Sequence, residues 1–477
     1  MKILIVNPPT VDKKSYIREG RCTQPKGAWG TLWPPISLAY IGALLEKNNH
    51  NVSIIDCAAI NFDIEEFLRL VDKEKPDIIF LSTSTPTINS DLVLLKRIKG
   101  KNPSIITIAF GTHVTSLADL ILKSSNNIDF IIRGEPEKTS EELVNSIESN
   151  GSFEKVKGIS FRDDYGKIIH NPNREWIENL DDLPFPAWHL IDISRYKLPY
   201  IGSPFLMVTP HRGCPYNCTF CTAQTYYGSK IRIRSVQNVI SELWYLKNRF
   251  NIDHIFFWSD TFTGNKKFVK DLCKAIIDEK LSIHWTCNSR IDTVDIELLQ
   301  IMKKAGCFMI SYGIESADPS ILSSCGKKTT PEKAKEAVRL TKKAGIMTVG
   351  HFILGLPGET EKSANKSIMF AKSIGLDFAQ FYFAVPFPGS RLYQTAVKEG
   401  WIEKGDFSSF EQDSCIMNLP TITKNKLESL RKKAYKEFYL RPSIIPWGIK
   451  HIRFNHIIES IKIALNFIKW SKGEKKM

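Results

Sequence analysis

Short, continuously apolar runs alternate with amphipathic stretches through the first third of the chain. The runs lack the apolar–polar alternation of a half-exposed strand, so they are typical of parallel strands buried on both faces. The stretches between them, such as residues 36–49 and 90–100, carry apolar positions at helical spacing. This order predicts a doubly wound, Rossmann-like α/β domain over residues 1–145. The predicted strands are KILIVN (2–7), NVSIID (51–56), DIIFLST (77–83), IITIAFG (105–111) and DFIIRG (129–134).

Polar, turn-forming residues follow the predicted strands of this domain. A doubly wound sheet binds its ligands at the carboxyl ends of its strands. Thr85, Gly111 and His113 lie in two of these segments, and we take them as candidate cofactor contacts. The four segments are NPPT (7–10), STSTPT (82–87), GTHVTS (111–116) and RGEPE (133–137).

A second alternation of strands and helices occupies residues 201–410. Six β/α units in a row predict a partial (β/α)6 barrel of the TIM type, in which the chemistry lies where the strands end. Residues 146–200 are expected to be a connector with a hairpin that turns at residues 164–166. The predicted barrel strands are FLMVTP (205–210), HIFFWSD (254–260), SIHWTCNSR (282–290), CFMISYGIES (307–316), MTVGHFILGLP (347–357) and FAQFYFAVP (378–386).

The last segment, residues 411–477, carries most of the positive charge. The formal net charge of the chain is +14, and residues 421–477 contain 14 lysines and arginines against 4 acidic residues. The body of the chain is therefore nearly neutral, and no nucleic-acid partner is expected. We expect a helix in this basic tail that either packs on the barrel or touches an anionic membrane. Its apolar residues are Phe454, Ile457, Ile458, Ile461, Leu465 and Ile468.

The sequence predicts a cytoplasmic protein, with membrane association through the tail as the open question. No run of about 20 apolar residues is present, so no membrane-spanning helix is expected. The N-terminus has the pattern of a first strand and lacks the layout of a secretory signal. Ten cysteines in 477 residues do not make a disulfide scaffold, and free thiols are available for metal binding.

Three cysteines lie close together in the segment HRGCPYNCTFC. Cys214, Cys218 and Cys221 have C-x3-C-x2-C spacing just beyond the first predicted barrel strand. Thiolates are soft ligands that suit zinc or iron–sulfur clusters. A structural zinc needs four protein ligands, and His211 is the nearby candidate for the fourth. A four-iron cluster held by three cysteines would instead leave one iron open for a substrate or cofactor.

This segment resembles the signature of the radical S-adenosylmethionine (SAM) superfamily, C-x3-C-x-aromatic-C, with Phe220 as the aromatic residue. The resemblance implies a [4Fe-4S] cluster on Cys214, Cys218 and Cys221, with SAM bound at the open iron. It also implies that one electron from the cluster cleaves SAM to a 5′-deoxyadenosyl radical. The three-cysteine count is explained in this way, with a structural zinc or a closed cluster as the alternative.

The resemblance extends to the ends of other predicted barrel strands. It implies that these ends contact the methionine amino group, the carboxylate, the ribose and the adenine of SAM. The corresponding residues are Asp260, Arg290, Glu315 and the pair Ile353 and Gly355, with Phe220 beside the adenine.

The N-terminal domain resembles the cobalamin-binding domain that precedes the barrel in one large group of radical SAM enzymes. The resemblance is carried by the NPP start, WPPISLAYIGALLE, the GTHVTS turn and RGEPE. In relatives this turn begins with two glycines, whereas here Phe110 precedes Gly111. The D-x-H-x-x-G motif is absent, which implies that cobalamin binds base-off, without a histidine ligand to cobalt.

The whole architecture is similar to anaerobic magnesium-protoporphyrin IX monomethyl ester oxidative cyclases and to cobalamin-dependent radical SAM methylases. The similarity implies an enzyme that modifies an unactivated carbon of a small or lipophilic substrate, and we expect methylation first. Oxidative ring formation is the alternative. A methylthiotransferase acting on tRNA and a non-enzymatic cobalamin or iron sensor are weaker alternatives. A reductant such as flavodoxin or ferredoxin is implied, whereas the substrate is not.

Overall fold

The computed structural model describes residues 1–19, 24–25, 31–198, 201–403 and 405–441. The strands of the first half are β1 (Lys2–Asn7), β2 (Tyr16–Ile17), β3 (Gln24–Pro25), β4 (Asn51–Asp56), β5 (Ile78–Ser82), β6 (Ile106–Phe110), β7 (Phe130–Ile132), β8 (Ile159–Arg162) and β9 (Ile168–His170). The helices of this half are α1 (Ile36–Lys47), α2 (Cys57–Ile60), α3 (Ile64–Glu74), α4 (Ile88–Lys101), α5 (Thr112–Ser124) and α6 (Pro136–Glu148).

Seven of these strands form one sheet in the order β4-β1-β5-β6-β7-β8-β9. The first five in that order are parallel. The central strand β5 is buried along its whole length, and separate hydrophobic cores cover the two faces of the sheet. This confirms the doubly wound fold that the apolar runs predict. The five predicted strands begin and end within two residues of the observed ones.

The hairpin that the sequence predicts in the connector continues this sheet. β8 pairs antiparallel with β7, and β9 pairs antiparallel with β8. The turn is closed by Asp163, whose side chain accepts hydrogen bonds from the N–H groups of Tyr165 and Lys167. Local turn chemistry therefore predicts the hairpin, but it carries no information about the edge that the hairpin joins. The domain boundaries at residues 145, 200 and 410 stay predictions.

The second half of the chain supplies the remaining described elements. Its strands are β10 (Leu206–Val208), β11 (His211–Arg212), β12 (Arg232–Ile233), β13 (His254–Phe257), β14 (His284–Ser289), β15 (Cys307–Glu315), β16 (Met347–Leu354) and β17 (Phe378–Phe383). Its helices are α7 (Ala223–Tyr227), α8 (Val236–Phe250), α9 (Lys266–Asp278), α10 (Ile296–Lys304), α11 (Pro319–Ser324), α12 (Pro331–Lys343), α13 (Glu361–Ser373), α14 (Arg391–Lys398) and α15 (Lys424–Tyr439).

Six of these strands form a parallel sheet in the order β10-β13-β14-β15-β16-β17. Successive strands are always neighbours and helices connect them, which is the arrangement of a partial (β/α)6 barrel. The threonine that the sequence indicates as a helix start caps α12: the Thr330 side chain accepts a hydrogen bond from the N–H of Lys333. The predicted barrel is confirmed.

Helix α15 fastens the start of the C-terminal tail to the barrel. Its buried face includes Leu427 and Phe438, and Arg431 Nε donates to the carbonyl oxygen of Phe381 on β17 at 2.8 Å. The apolar repeat at residues 454–468 lies outside the described residues. No helix within the described ranges is long and apolar enough to cross a bilayer.

The two halves share part of one hydrophobic core. Val385, Phe387, Phe407 and Phe410, which follow the last barrel strand, belong to the core beneath α3, α4 and α5 of the first domain. Polar contacts also cross the boundary, since Ser116 at the carboxyl edge of the first sheet donates to the carbonyl oxygen of Pro388 at 3.2 Å. The strand ends of the two sheets are therefore held at a common interface.

Candidate active site

The three-cysteine loop begins directly after β11 and ends at α7. Gly213 opens it with a backbone φ of +91°, and a Cβ at this position would collide with the carbonyl oxygen of Lys230. The N–H of Cys214 donates to the carbonyl oxygen of Gly228 at 3.1 Å. Only glycine fits such an approach, so the start of the loop is fixed by its own sequence.

The far side of the loop is clamped by two other barrel segments. The N–H of Thr219 donates to the carbonyl oxygen of Cys325 at 2.9 Å, and the N–H of Leu392 donates to that of Thr219 at 2.8 Å. Gly326, with φ of +71°, lies so close that a Cβ would be 2.7 Å from the carbonyl oxygen of Asn217. The loop is thus ordered by backbone contacts, and these leave its cysteine sulfurs unbridged.

None of Cys214, Cys218 and Cys221 forms a disulfide bond; Cys214 is buried and the other two are half-buried. The Sγ of Cys221 accepts a hydrogen bond from the N–H of Ala223 at 3.4 Å, as sulfur ligands of iron–sulfur clusters do. Among the residues that the structure describes, no three His, Cys or acidic side chains already stand in a metal-ligating arrangement. Three unbridged sulfurs in one clamped loop, one of them facing an N–H donor, fit a thiolate-held cluster.

His211 does not complete a zinc site with these cysteines. Its Nε2 lies 3.2 Å from the carbonyl oxygen of Phe262, and its ring stacks on that of Phe262. Burial lowers the pKa of His211, which is consistent with a neutral core imidazole. The fourth-ligand alternative therefore lacks support from the geometry.

Two predicted SAM contacts lie beside Cys218, together with a lysine that the sequence analysis missed. Lys327 Nζ pairs with Glu315 Oε1 at 2.7 Å, and both side chains are buried. Arg290 Nη2 donates to the carbonyl oxygen of Lys327 at 2.9 Å. Burial raises the pKa of the Cys218 thiol, and the charge of Lys327 is the first of the neighbouring influences that oppose this rise.

Arg290 is held by more partners than its predicted role requires. Its guanidinium forms two hydrogen bonds of 2.8 Å with Asp292 and lies 3.8 Å from the ring centre of Tyr216 in the cysteine loop. The side chain thus connects the end of β14 to the loop. Three existing partners leave it less free to bind a carboxylate than the sequence suggests.

Of the other predicted SAM contacts, Asp260, Ile353 and Gly355 lie at or near strand ends of the barrel, and Phe220 lies in the cysteine loop. Phe220 packs against the barrel core and Ile353 is half-buried in β16. Asp260 follows β13, where its charge acts on His211. Gly355 has φ of +84°, and its missing side chain faces Leu427 of α15. The ends of β13 and β16 therefore present Asp260, Ile353 and Gly355.

Glu359 is a second residue that the sequence analysis missed. It accepts hydrogen bonds from the N–H of Gly355 at 2.8 Å and from the Ser363 hydroxyl at 3.0 Å. Burial raises its pKa to about 7, although both hydrogen bonds lower it. The carboxyl group shapes the turn after β16, and GLPGE in the sequence is the signal that could have identified it.

In the first domain, Gly111 and His113 occupy the carboxyl end of β6. Gly111 has φ of +128°, and a Cβ there would collide with the carbonyl oxygen of Thr83. His113 Nδ1 lies 3.3 Å from Thr85 Oγ1, while its buried Nε2 has no hydrogen-bond partner. Burial lowers the pKa of His113 to about 3. A tight glycine turn and an unsatisfied neutral imidazole at a sheet edge fit a bound cofactor.

A buried charge cluster joins this sheet edge to the cysteine loop. Arg212, two residues before Cys214, pairs with Glu135 at 3.1 Å and with Glu137 at 2.6 Å. Arg232 pairs with Glu135 at 2.8 Å, and all four charged side chains are buried. Both acids belong to the RGEPE segment, so the pairing explains that motif. Sequence spacing could not reveal it, since the partners are about 75 positions apart.

Family models match both halves of the chain. A B12 binding domain model matches residues 27–144, and a Radical SAM superfamily model matches residues 208–371. The two matches support cobalamin, SAM and a [4Fe-4S] cluster as cofactors. The first match lies within the domain of the seven-stranded sheet, and the second lies within the barrel.

Relatives cover nearly the whole chain. An uncharacterized methyltransferase of Pyrococcus horikoshii is 35% identical over 96% of this chain and 95% of its own length. The anaerobic magnesium-protoporphyrin IX monomethyl ester cyclase of Rubrivivax gelatinosus is 28% identical over 87% of this chain and 75% of its own length. The solved structure of the radical SAM methyltransferase TsrM from Kitasatospora setae, with cobalamin and [4Fe-4S] cluster bound, has a TM-score of 0.71 at 15% identity and covers 92% of this chain and 89% of that chain.

The alignment with the methyltransferase relative extends over 456 residues and spans both domains of this chain. The fold agrees with that of TsrM. The chain therefore belongs to the cobalamin-dependent radical SAM enzymes, in the class that contains C-methyltransferases and anaerobic cyclases.

Proposed function

We propose that this enzyme transfers a methyl group from SAM, by way of cobalamin, to an unactivated carbon of a small or lipophilic substrate. The observation that carries the proposal is the buried cluster in which Arg212 binds Glu135 and Glu137. This cluster ties the cysteine loop to the ligand edge of the B12 binding domain, so the two cofactor sites share one interface. The methyltransferase name of the 35% identical relative favours methylation over ring formation.

In this proposal Cys214, Cys218 and Cys221 hold the [4Fe-4S] cluster. When bound, the cluster supplies the electron that cleaves SAM, and the corrinoid carries the methyl group. The clamped backbone of the loop fixes the three sulfurs, and Cys221 receives an N–H hydrogen bond from Ala223. The chain's share of the chemistry is to bind, orient and exclude water.

The barrel strand ends are proposed to bind SAM. Asp260 attracts the methionine ammonium group, and Glu315 accepts from the ribose hydroxyls. The half-buried Ile353, the buried Gly355 and the ring of Phe220 enclose the adenine. We keep Arg290 as the carboxylate contact and assign Nη1 as the donor, because Nε and Nη2 already bind Asp292 and the carbonyl oxygen of Lys327.

Cobalamin is proposed to bind at Thr85, Gly111 and His113, base-off and without a histidine ligand to cobalt. His113 Nδ1 contacts Thr85, and the imidazole ring lies edge-on to Phe407 at 4.7 Å. These contacts hold the ring within the core. His113 would then serve as a neutral hydrogen-bonding contact through Nε2.

The electron donor is proposed to be a small redox protein such as flavodoxin or ferredoxin, and the enzyme is proposed to work in the cytoplasm. Peripheral membrane contact through residues 442–477 is a separate proposal, supported by the apolar spacing and basic charge of that segment. Flotation with anionic liposomes tests it: the full chain should float and a chain ending at Arg441 should not. Equal behaviour of the two chains would remove the membrane proposal.

The methyl proposal can be tested without a known substrate. The protein is reconstituted anaerobically with iron, sulfide and cobalamin, reduced, and incubated with SAM that carries a deuterated methyl group. We expect S-adenosylhomocysteine to form and the label to appear on the extracted corrinoid. The alternative is ring formation of the cyclase type, which the 28% identical relative favours. That reaction uses no SAM methyl group and gives 5′-deoxyadenosine alone.

The Cys218→Ala variant is the control for this experiment. It should lose 5′-deoxyadenosine formation while the first domain still takes up cobalamin. Absence of labelled corrinoid in the wild-type protein, with 5′-deoxyadenosine present, would refute methyl transfer. Retained 5′-deoxyadenosine in Cys218→Ala would refute the cluster assignment.

A further inference from the structure

A buried ion pair lies at the open end of the barrel, next to the cysteine loop. Lys327 Nζ and Glu315 Oε1 are 2.7 Å apart, and the two side chains are 6% and 8% exposed. A buried pair of this kind stabilises a fold weakly, because desolvation offsets most of the attraction. Its presence therefore calls for an explanation other than stability.

The surrounding backbone is shaped to admit this pair. A Cβ at Gly313 would lie 2.5 Å from Glu315 Oε1 and 2.8 Å from Lys327 Nζ. Glu315 itself has φ of +67°, and the register between β15 and β16 shifts between Gly313 and Glu315. A left-handed glutamate two residues after a glycine that leaves room for the pair is a built arrangement, since such strain persists only where the surroundings enforce it.

Lys327 is positioned from both sides. Its N–H donates to the carbonyl oxygen of Leu322 at 3.0 Å, and its own carbonyl oxygen accepts from Arg290 at 2.9 Å. The Glu315 carboxylate, 2.7 Å from Lys327 Nζ, stabilises the protonated form of this buried lysine. Lys327 is therefore a fixed positive charge.

The segment that carries Lys327 packs against the cysteine loop. A Cβ at Gly326, the residue before Lys327, would lie 2.7 Å from the carbonyl oxygen of Asn217, the residue before Cys218. The carbonyl oxygen of Cys325 accepts a hydrogen bond from the N–H of Thr219 in the same loop. The charge of Lys327 and the cysteine thiols are therefore held in neighbouring segments.

We propose that the Lys327–Glu315 pair sets the reduction potential of the cluster held by Cys214, Cys218 and Cys221, with Lys327 as a positioning residue that stabilises the reduced state. The inference rests on the proposed function, because it needs the cluster. The step is the transfer of one electron from an external reductant, a low-potential redox protein or dithionite, to the cluster. The cluster becomes more negative by one charge, and a nearby fixed cation lowers the energy of that state.

The sign of the effect separates this role from a structural one. Lys327→Met removes the positive charge but keeps a side chain of similar length, and it should make reduction of the cluster harder. Glu315→Gln removes a negative charge and should make it easier. The double variant Lys327→Met/Glu315→Gln should lie between the two single variants, close to the wild type. A structural role would disturb the cluster in the same direction in both single variants.

The experiment is a redox titration of anaerobically reconstituted full-length protein without SAM, followed by electron paramagnetic resonance of the reduced cluster. Lys327→Met should lower the one-electron equilibrium constant at least tenfold, equivalent to about 59 mV. Lys327→Arg should titrate like the wild type because it keeps the charge. The matched control is Lys366→Met, which removes an exposed lysine paired with Asp318 at 3.4 Å and should leave the potential unchanged.

The failures of the two proposals are distinguishable. A wild-type protein that binds no iron and sulfide would overturn the cluster assignment itself. Normal iron content with unchanged potentials in Lys327→Met and Glu315→Gln, or shifts in one common direction, would overturn this inference alone. If Lys327→Met loses its iron, Glu315→Gln decides: an easier reduction supports the inference and an unchanged potential overturns it.

Discussion

Glu315 ends β15 in the left-handed region of backbone space, where a non-glycine residue costs about 1–3 kcal/mol. The strained backbone carries the carboxylate that pairs with Lys327. Gly313 makes room for that pair, because a Cβ at this position would lie within 3 Å of both Glu315 Oε1 and Lys327 Nζ. The position of the ion pair therefore depends on the missing side chain of Gly313.

Gly313→Ala should displace the pair and weaken SAM binding at least tenfold. The added methyl group would overlap Glu315 Oε1 and Lys327 Nζ, and overpacking of this kind costs about 1–3 kcal/mol of unfolding free energy. Calorimetry with SAM and denaturant unfolding measure the two effects. Gly100→Ala is the control: it has open space around it and lies in α4, so it should be neutral or stabilising by about 0.5–1 kcal/mol. Equal behaviour of the two variants would contradict this account.

Glu359 should make stability depend on pH. Burial raises its pKa to about 7 from an ordinary value of 4.5, so the folded state binds the proton more tightly than the unfolded state. Its contribution is therefore complete below about pH 4.5 and is lost as pH rises through about 7, a change of about 3 kcal/mol. Denaturant unfolding at pH 5 and pH 8 measures it.

Glu359→Gln is the comparison that isolates this residue. The buried Glu19 also has its pKa raised to about 7, but that contribution cancels in the difference between wild type and variant. The wild type should lose stability relative to Glu359→Gln between the two pH values. A constant difference would show that Glu359 does not titrate in this range.

Local spacing predicts some site residues and not others. Cys214, Cys218 and Cys221 are within eight positions, so their relation is visible in the sequence. Lys327 is found only through its contact with Glu315, which depends on a bulge between two strands. Contacts of that kind leave no periodicity in the sequence, and this is why the sequence does not point to Lys327.

Among the elements, the central strands β1, β5 and β6 are well predicted because they are continuous apolar runs buried on both faces. β5 at Ile78–Ser82 lies inside the predicted 77–83. The pairing of β8 with β7 was not predicted, since which edge a hairpin joins is decided by tertiary packing. The same limit applies to β11, a two-residue strand whose Arg212 reaches α6 of the other domain.

Arg212→Met should destabilise the protein by about 3–5 kcal/mol. It would leave Glu137 without a cation partner and Glu135 with Arg232 alone, in a site where all four side chains are buried, and an uncompensated buried charge is costly. Denaturant unfolding measures the loss. The control Lys157→Met breaks an exposed pair with Glu175 and should change stability by less than about 1 kcal/mol. Similar losses in both variants would contradict a special role for the interdomain cluster.

At the scale of the molecule, the two domains do not have independent cores. The core under α3, α4 and α5 includes Phe387, Phe407 and Phe410, which come from beyond the last barrel strand. The first domain is therefore completed by a segment that follows the second. Sequence patterns define the two domains but do not predict that this segment completes the first one, because its apolar residues have no helical or strand spacing.

Phe407→Ala should weaken both domains at once. Phe407 is 5% exposed, lies edge-on to His113 at 4.7 Å and contacts Phe410 at 5.2 Å. Loss of such a ring costs about 3–5 kcal/mol. It would also admit water to His113, whose pKa is held near 3 by burial, so that this pKa should rise towards its ordinary value of 6.5. Nuclear magnetic resonance of the histidine ring follows the pKa, and denaturant unfolding follows stability.

Tyr165→Ala separates this effect from the loss of any aromatic ring. Tyr165 is 97% exposed in the β8–β9 turn, so its removal should change neither quantity. Cobalamin uptake by the two variants extends the comparison to function, because Phe407 packs against His113, the proposed cobalamin contact. If Phe407→Ala lowers stability but leaves both the His113 pKa and cobalamin uptake unchanged, the shared core is a matter of folding alone. If all three change together, the segment after the barrel is part of the cofactor site.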